Sequence, residues 1–143
     1  MRYHFEECLE RGKIVKIPID QGLITKELRE AEVDLAAAER SLLDYQVKWA
    51  IIQGYYSLFH SLRSQVFSKG YREKSHRCLK YAVEALFVDQ GLLDPVVLEH
   101  FSFAMDLREG ADYSCIYNEE SAHIVVMSAR SVYEMVSPER NPP

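Results

Sequence analysis

VKWAIIQGYYSLFHSLRSQVF, residues 47–67, is apolar around most of its circumference. A helix at a protein surface shows one apolar stripe and one polar face, so a helix without a polar face must be surrounded by others. This stretch therefore predicts the central member of an all-α helical bundle. Gly70 stands where a helix C-terminus needs a left-handed residue, and it ends the segment.

The flanking sequence supplies the surrounding helices. Upstream, Thr25 is a plausible N-cap, and Leu28, Ala31, Leu35, Ala38, Leu42 and Tyr45 recur at spacings of three and four. Downstream, Ser75 caps a helix through Phe87 whose stripe is Leu79, Val83, Leu86 and Phe87, with Gly91 at its end. Pro95 suits the first turn of the next helix, in which Leu98, Phe101, Met105, Arg108 and Asp112 fall on one stripe. Asn118 opens the last, with Ala122, Val125, Val126, Ala129, Val132 and Val136 facing inward. Every segment after Ile24 reads as helix or short turn, and short connections predict an up-and-down bundle of four main helices plus a short one. Residues 1–22 read as an N-terminal arm with a short helix around Tyr3 to Arg11 and an extended stretch at IVKIPID, residues 14–20, which Pro18 keeps from being helical. The bundle occupies 23–137, and 138–143 (PERNPP) is a disordered tail.

At 143 residues and 48% hydrophobic content the chain fits one domain able to bury a core without covalent staples. Cys8, Cys78 and Cys115 are an odd number at wide spacing with no metal-ligand pattern, which predicts reduced thiols and a cytoplasmic protein. No segment approaches the roughly 20 apolar residues of a membrane span, so no membrane partner is expected. The net charge of -5 argues against a generic polyanion binder. Between Arg63 and Lys80, however, six basic residues stand against the single acid Glu73. Such a block is either a solvated helix end or a patch for an anion or RNA.

Polar groups on apolar helix faces are the candidate functional residues, because burying them unpaired costs about 1–3 kcal/mol each. His60 and Arg63 share a face of the central helix with Tyr56 and Phe67. They form either a packed histidine beside a surface arginine or part of an anion-binding or dimer surface. His76 lies at a helix N-terminus in GYREKSH, residues 70–76, with Arg72 and Lys74 beside it, as a cap residue or a phosphate contact. Arg108 and Asp112, one turn apart, are able to pair as a structural salt bridge, and Tyr113 follows them. Glycine-rich phosphate loops, GxSxG and HExxH are absent. No cofactor or metal is implied. His76 and Cys78 point to different helix faces, which argues against a thiolate–imidazolium pair.

The stretch from Lys48 to His76, with LFVDQGLL (86–93), LREGADYS (107–114) and YNEESAHIVVMSAR (117–130), resembles the HEPN family, and most of all its small UPF0332-type group. The resemblance covers roughly residues 5 to 136, and YYSLFH, GYREKSH and LREGADYS in that order are its most specific pieces. It implies a bundle of four main helices, a homodimer, and pairing with a minimal nucleotidyltransferase in a toxin–antitoxin-like system. Many HEPN proteins are metal-independent RNases whose signature is an arginine followed, after four to six residues, by a histidine. Arg108 stands in the arginine's place, but the positions that follow at that spacing are Tyr113, Ser114 and Cys115. The terminal tyrosine that a partner nucleotidyltransferase modifies in related toxins corresponds to Cys115, leaving Tyr113 or Tyr117 as substitute acceptors.

The departure turns the expectation from catalysis toward a module that binds nucleotide, RNA or a nucleotidyltransferase. Two alternatives stand beside it: an RNase with a displaced composite dimer site, His60 or His76 acting beside Arg108, and a purely structural nucleotidyltransferase partner.

Overall fold

The computed structural model describes residues 2–137. The chain runs α1 (Arg2–Glu10), β1 (Ile14–Lys16), α2 (Gln21–Leu43), α3 (Val47–Ser68), β2 (Tyr71–Glu73), α4 (His76–Val83), α5 (Val96–Glu109) and α6 (Glu119–Val136). α4 runs on into a π-helical turn, Glu84–Val88, and α5 into another, Gly110–Ser114. The fold is the expected all-α bundle, with α2, α3, α5 and α6 as its long members. α3 is central: Ala50, Ile51, Tyr55, Leu58, Leu62 and Val66 are fully buried, on several sides of the helix.

Close packing around α3 depends on small groups. A Cβ at Gly54 would lie 2.9 Å from a methyl of Val125 on α6, so glycine is what lets the two helices approach. One turn further along α3, Ser57 donates from its hydroxyl to the Ala31 carbonyl of α2 at 2.8 Å. α6 presents Ala122, Val125, Val126, Ala129, Val132 and Val136 to the core, all buried, as its periodicity predicts.

The helix starts follow cap chemistry. The Ser75 hydroxyl accepts from the Cys78 N–H at 3.1 Å, and the Asn118 side-chain amide oxygen accepts from the Ser121 N–H at 2.8 Å. α2 departs from expectation: it begins at Gln21, capped by Asp20 rather than Thr25, because the Asp20 carboxylate takes the Gly22 N–H at 2.8 Å one turn earlier.

Two further expectations are corrected. Tyr71–Glu73 is a strand, not a turn, and pairs antiparallel with Ile14–Lys16 in the register Ile14 to Glu73 and Lys16 to Tyr71. Extended residues on both segments offer unpaired backbone groups to each other, and the ladder satisfies them. The cysteines are not all reduced: Cys8 on α1 and Cys78 in the first turn of α4 form a disulfide, leaving Cys115 as an exposed thiol. Wide sequence spacing concealed the pairing because helix packing, not the local chain, brings the two sulfurs together. Phe5, Cys8 and Ile14 accordingly lie in the main core cluster. The tail at 138–143 lies outside the described residues. Among the described residues no helix is long and apolar enough to cross a membrane.

The disulfide closes a loop of 70 residues and so restricts the unfolded chain. Reducing it, or replacing both cysteines by serine, is expected to lower the unfolding free energy by about 2–4 kcal/mol. Urea unfolding with and without a dithiol reads this directly, and coincident transitions would show that the bond contributes nothing.

Candidate functional site

In the strand Tyr71–Glu73 successive side chains point to opposite sides. Glu73 turns inward and is buried, while Arg72 and Lys74 stay exposed. The turn after the strand delivers His76 as the first residue of α4. Together with Phe59 and Arg63 of α3, these residues line an open groove of about 640 Å³. The groove therefore gathers four of the candidate residues, Arg63, Arg72, Lys74 and His76, at the C-terminal half of α3.

Their electrostatic states differ. The Arg63 guanidinium is held between two carboxylates, donating from Nε to Glu73 at 2.9 Å and from Nη1 to Glu27 of α2 at 3.3 Å. Burial pushes the Glu73 carboxyl above its usual range, and the Arg63 charge opposes this. Glu27 also bonds the Nδ1 of His60, whose Nε2 lies 3.8 Å from Asp34. His60 is thus tied to carboxylates of α2 rather than to a groove ligand, which departs from the carbonyl partner of an ordinary packed histidine. Burial raises the Asp34 carboxyl's pKa, partly offset by His60.

His76 has different surroundings. Its Nδ1 is hydrogen-bonded to the hydroxyl of Tyr55, a tyrosine with no exposed surface at the centre of α3. Desolvation is the largest influence lowering the His76 pKa from 6.5, with the Arg108 and Arg63 charges acting in the same direction. Burial drives the Tyr55 hydroxyl strongly the other way, well above its ordinary value. A neutral imidazole beside a protonated phenol gives the bond two senses: the tyrosine donates to Nδ1 and the ring keeps its proton on Nε2, or Nδ1–H donates to the phenol oxygen and the Nε2 lone pair is free.

Arg108 meets the same tyrosine from α5. Its guanidinium lies 5.0 Å from the centre of the Tyr55 ring and 5.9 Å from that of Tyr56, a cation–π arrangement. The salt bridge to Asp112 exists but is long, 3.4 Å, and reaches a carboxylate on the exposed π-helical turn. Arg108 side-chain exposure is only 14%, and its Nε is buried without an acceptor. Tyr113 projects into solvent on that turn.

The structure thus brings His76 and Arg108 together through Tyr55 and adds Arg63, Arg72 and Lys74 from the groove. His60 belongs to the Glu27 cluster, and Asp112 and Tyr113 lie at the outer edge of Arg108. Sequence reading missed Tyr55 and Glu27. Glu27 was findable, because it extends the buried stripe Ala31, Leu35 and Ala38 by one turn and is a carboxylate on a core-facing row. Tyr55 was hidden inside an apolar helix, where an aromatic residue is ordinary core. His76 and Cys78 do not pair, and the disulfide removes that thiol altogether. Among the described residues no group of three or more His, Cys, Asp or Glu is arranged to hold a metal.

Two outcomes follow. Glu27→Ala leaves His60 without its closest carboxylate and Arg63 with Glu73 alone, so stability is expected to fall by about 1–3 kcal/mol in denaturant unfolding. For His76, the unfolded ring takes up a proton below about pH 6.5 while the folded ring resists it. The stability that this provides is complete above pH 6.5 and is lost as pH falls through the lower folded pKa. Unfolding at pH 7.5 and 5.5 is expected to show a larger loss for the native chain than for His76→Gln, and equal losses would contradict the neutral ring.

A family model described as the HEPN domain matches residues 25–140. The chain is also similar to the protein named Putative toxin MJ0605 of Methanocaldococcus jannaschii, with 24% identity covering 81% of this chain and 93% of that one. The match takes in all four long helices except the first residues of α2, together with every residue of the groove and of the Tyr55 centre. By the extent of this match, the chain belongs to the HEPN domain family.

Proposed function

We propose that the groove binds the phosphates of a nucleotide or short RNA, in a homodimeric HEPN module of a toxin–antitoxin-like system whose other member is a minimal nucleotidyltransferase. The observation that carries the binding reading is the state of Arg108. A guanidinium only 14% exposed, stacked on two tyrosines, with a buried Nε lacking an acceptor and one long contact to Asp112, has donors left for an anion. Arg72 and Lys74 add exposed charge on the groove wall, whereas the charge of Arg63 is already shared between Glu27 and Glu73. Family membership and the similarity to a protein named as a toxin support the toxin–antitoxin setting. They leave the nucleotidyltransferase partnership to co-purification of the two chains, the result that would also favour a purely structural partner if the isolated chain bound no nucleotide.

A second reading has its own observation. A histidine held neutral by burial and by a neighbouring arginine is in the protonation state that a general base requires, and in the tautomer that donates Nδ1–H to Tyr55 its Nε2 lone pair is free to take a proton. In metal-independent RNA cleavage, His76 would take the proton of a 2′-hydroxyl as that oxygen attacks the adjacent phosphorus. Arg108 would hold the phosphate's non-bridging oxygens, and the bond from phosphorus to the 5′-oxygen would break as that oxygen takes a proton from water, leaving a 2′,3′-cyclic phosphate. This differs from the family's spacing of arginine and histidine, because the histidine comes from α4 rather than from the turn after Arg108.

Anisotropy of a labelled short RNA at two salt concentrations tests the binding. Arg72→Ala with Lys74→Ala is expected to weaken affinity and to flatten the slope of log affinity against log salt by about 0.7 for each phosphate contact removed. An unchanged slope would place binding elsewhere. Incubation of the same RNA with chelator separates the two readings: cleavage lost in both His76→Ala and Arg108→Ala supports catalysis, and intact RNA supports binding alone.

A further inference from the structure

At the other end of α3 lies a second cavity, of about 380 Å³, in which Tyr45, Trp49 and Tyr117 meet with Gln46, Lys48 and Asn118. Its three aromatic rings are all substantially exposed, Tyr45 at 74%, Trp49 at 50% and Tyr117 at 46%. Exposed rings converging on one cavity are not core. The Lys48 ammonium lies 5.2 Å from the centre of the Trp49 ring, adding a positive charge at the ring face.

The backbone supplies an independent sign. α2 ends in a Schellman turn, with the Gln46 N–H bonded to the Ser41 carbonyl at 2.8 Å and the Tyr45 N–H to the Leu42 carbonyl at 3.2 Å. The left-handed position of that turn favours glycine, yet Tyr45 holds it at φ 58°. A bulky side chain there is backbone strain, and its exposure rules out core packing as the compensation. Cys115, the second non-glycine residue with positive φ among those described, sits two residues before Tyr117 in the facing loop. Both loops that wall the cavity therefore hold a strained residue.

The cavity and the groove share one face of α3. Trp49, Tyr56 and Arg63 are spaced by seven residues, two helical turns, and so lie in one row about 21 Å long. Arg108 stands over Tyr56, between the two ends of the row. About six stacked nucleotides, at roughly 3.4 Å each, span that length. Three rings with Lys48 as the one charged residue of the lining suit the flat face of a base, with the ammonium beside the phosphate that follows it. The Gln46 and Asn118 amides stand at the rim, and the Asn118 amide nitrogen is left over from capping, since its oxygen holds the Ser121 N–H.

We infer that Tyr45, Trp49 and Tyr117 form a stacking site for a base of single-stranded RNA whose backbone runs along α3 to the Arg72, Lys74 and His76 groove. This rests on the phosphate-binding reading of that groove and adds a second subsite to it.

Trp49 is the sole tryptophan of the chain and so reports on its own site. Hexaadenylate is expected to quench its emission, and an abasic hexamer with the same phosphates is expected to leave it unchanged. With labelled hexaadenylate followed by anisotropy, Tyr117→Ala and Trp49→Ala are expected to weaken binding at least about fivefold without altering the salt slope, and Trp49→Phe to restore most of it. Tyr45→Gly places glycine where the turn favours it, so it is expected to fold at least as stably as the native chain and still bind hexaadenylate more weakly.

If the RNA binds through Arg72 and Lys74 while Trp49 emission and the aromatic variants' affinities do not change, the stacking site fails and the groove stands. If the RNA does not bind at all, both fail. Trp49 emission that follows protein concentration rather than RNA, with no loss of RNA affinity in Trp49→Ala, overturns the inference in favour of a contact between two copies.

Discussion

The Arg63 charge is largely buried in the wall of the groove, and much of the local architecture follows from neutralising it. Two carboxylates converge on it from different elements, Glu27 from α2 and Glu73 from the strand that follows α3. A guanidinium in such surroundings needs paired acceptors, because the desolvation it suffers is offset only by good geometry. Meeting that need orients α2 against α3 and turns Glu73 inward. The alternation of a strand then sends Arg72 and Lys74 outward, so one buried ion cluster fixes the basic wall of the groove.

A second centre forms around Tyr55. Its hydroxyl, buried in the middle of α3, needs a partner, and the first residue of α4 supplies it in His76. Its ring receives the guanidinium of Arg108 from α5. Three helices thus meet at one side chain, and the consequence is chemical as well as structural. The same burial and the same positive neighbours that hold the helices together keep His76 neutral, while Arg108 is left with unused donors. The disulfide between α1 and α4 fastens the N-terminal segment to the turn that carries His76, two residues from Cys78.

How much of this was legible varied with the range of the interaction. The caps at Ser75 and Asn118 are readable because a cap is a contact between residues three apart, and the inward face of α6 is readable because its period is local. The strand at Tyr71–Glu73 was not, since its partner, in the extended stretch at 14–20, lies more than 50 residues earlier and three residues carry no strand pattern of their own. For the same reason Cys8 and Cys78 looked like isolated thiols, whereas Glu27, one turn before Ala31 on the buried stripe of α2, was legible as a carboxylate on a core-facing row.

The sequence by itself determined the helical bundle, the central place of α3, the family resemblance and the absence of the signature histidine after Arg108. All of these rest on periodicity, composition or order along the chain. Only the tertiary structure decided which polar residues are spent on one another and which are free to act. His60 and Arg63 are occupied by carboxylates of α2 and β2, and His76 and Arg108 are joined through Tyr55. That division depends on distances between side chains far apart in sequence and on the burial that their packing creates, and neither exists until the helices have come together.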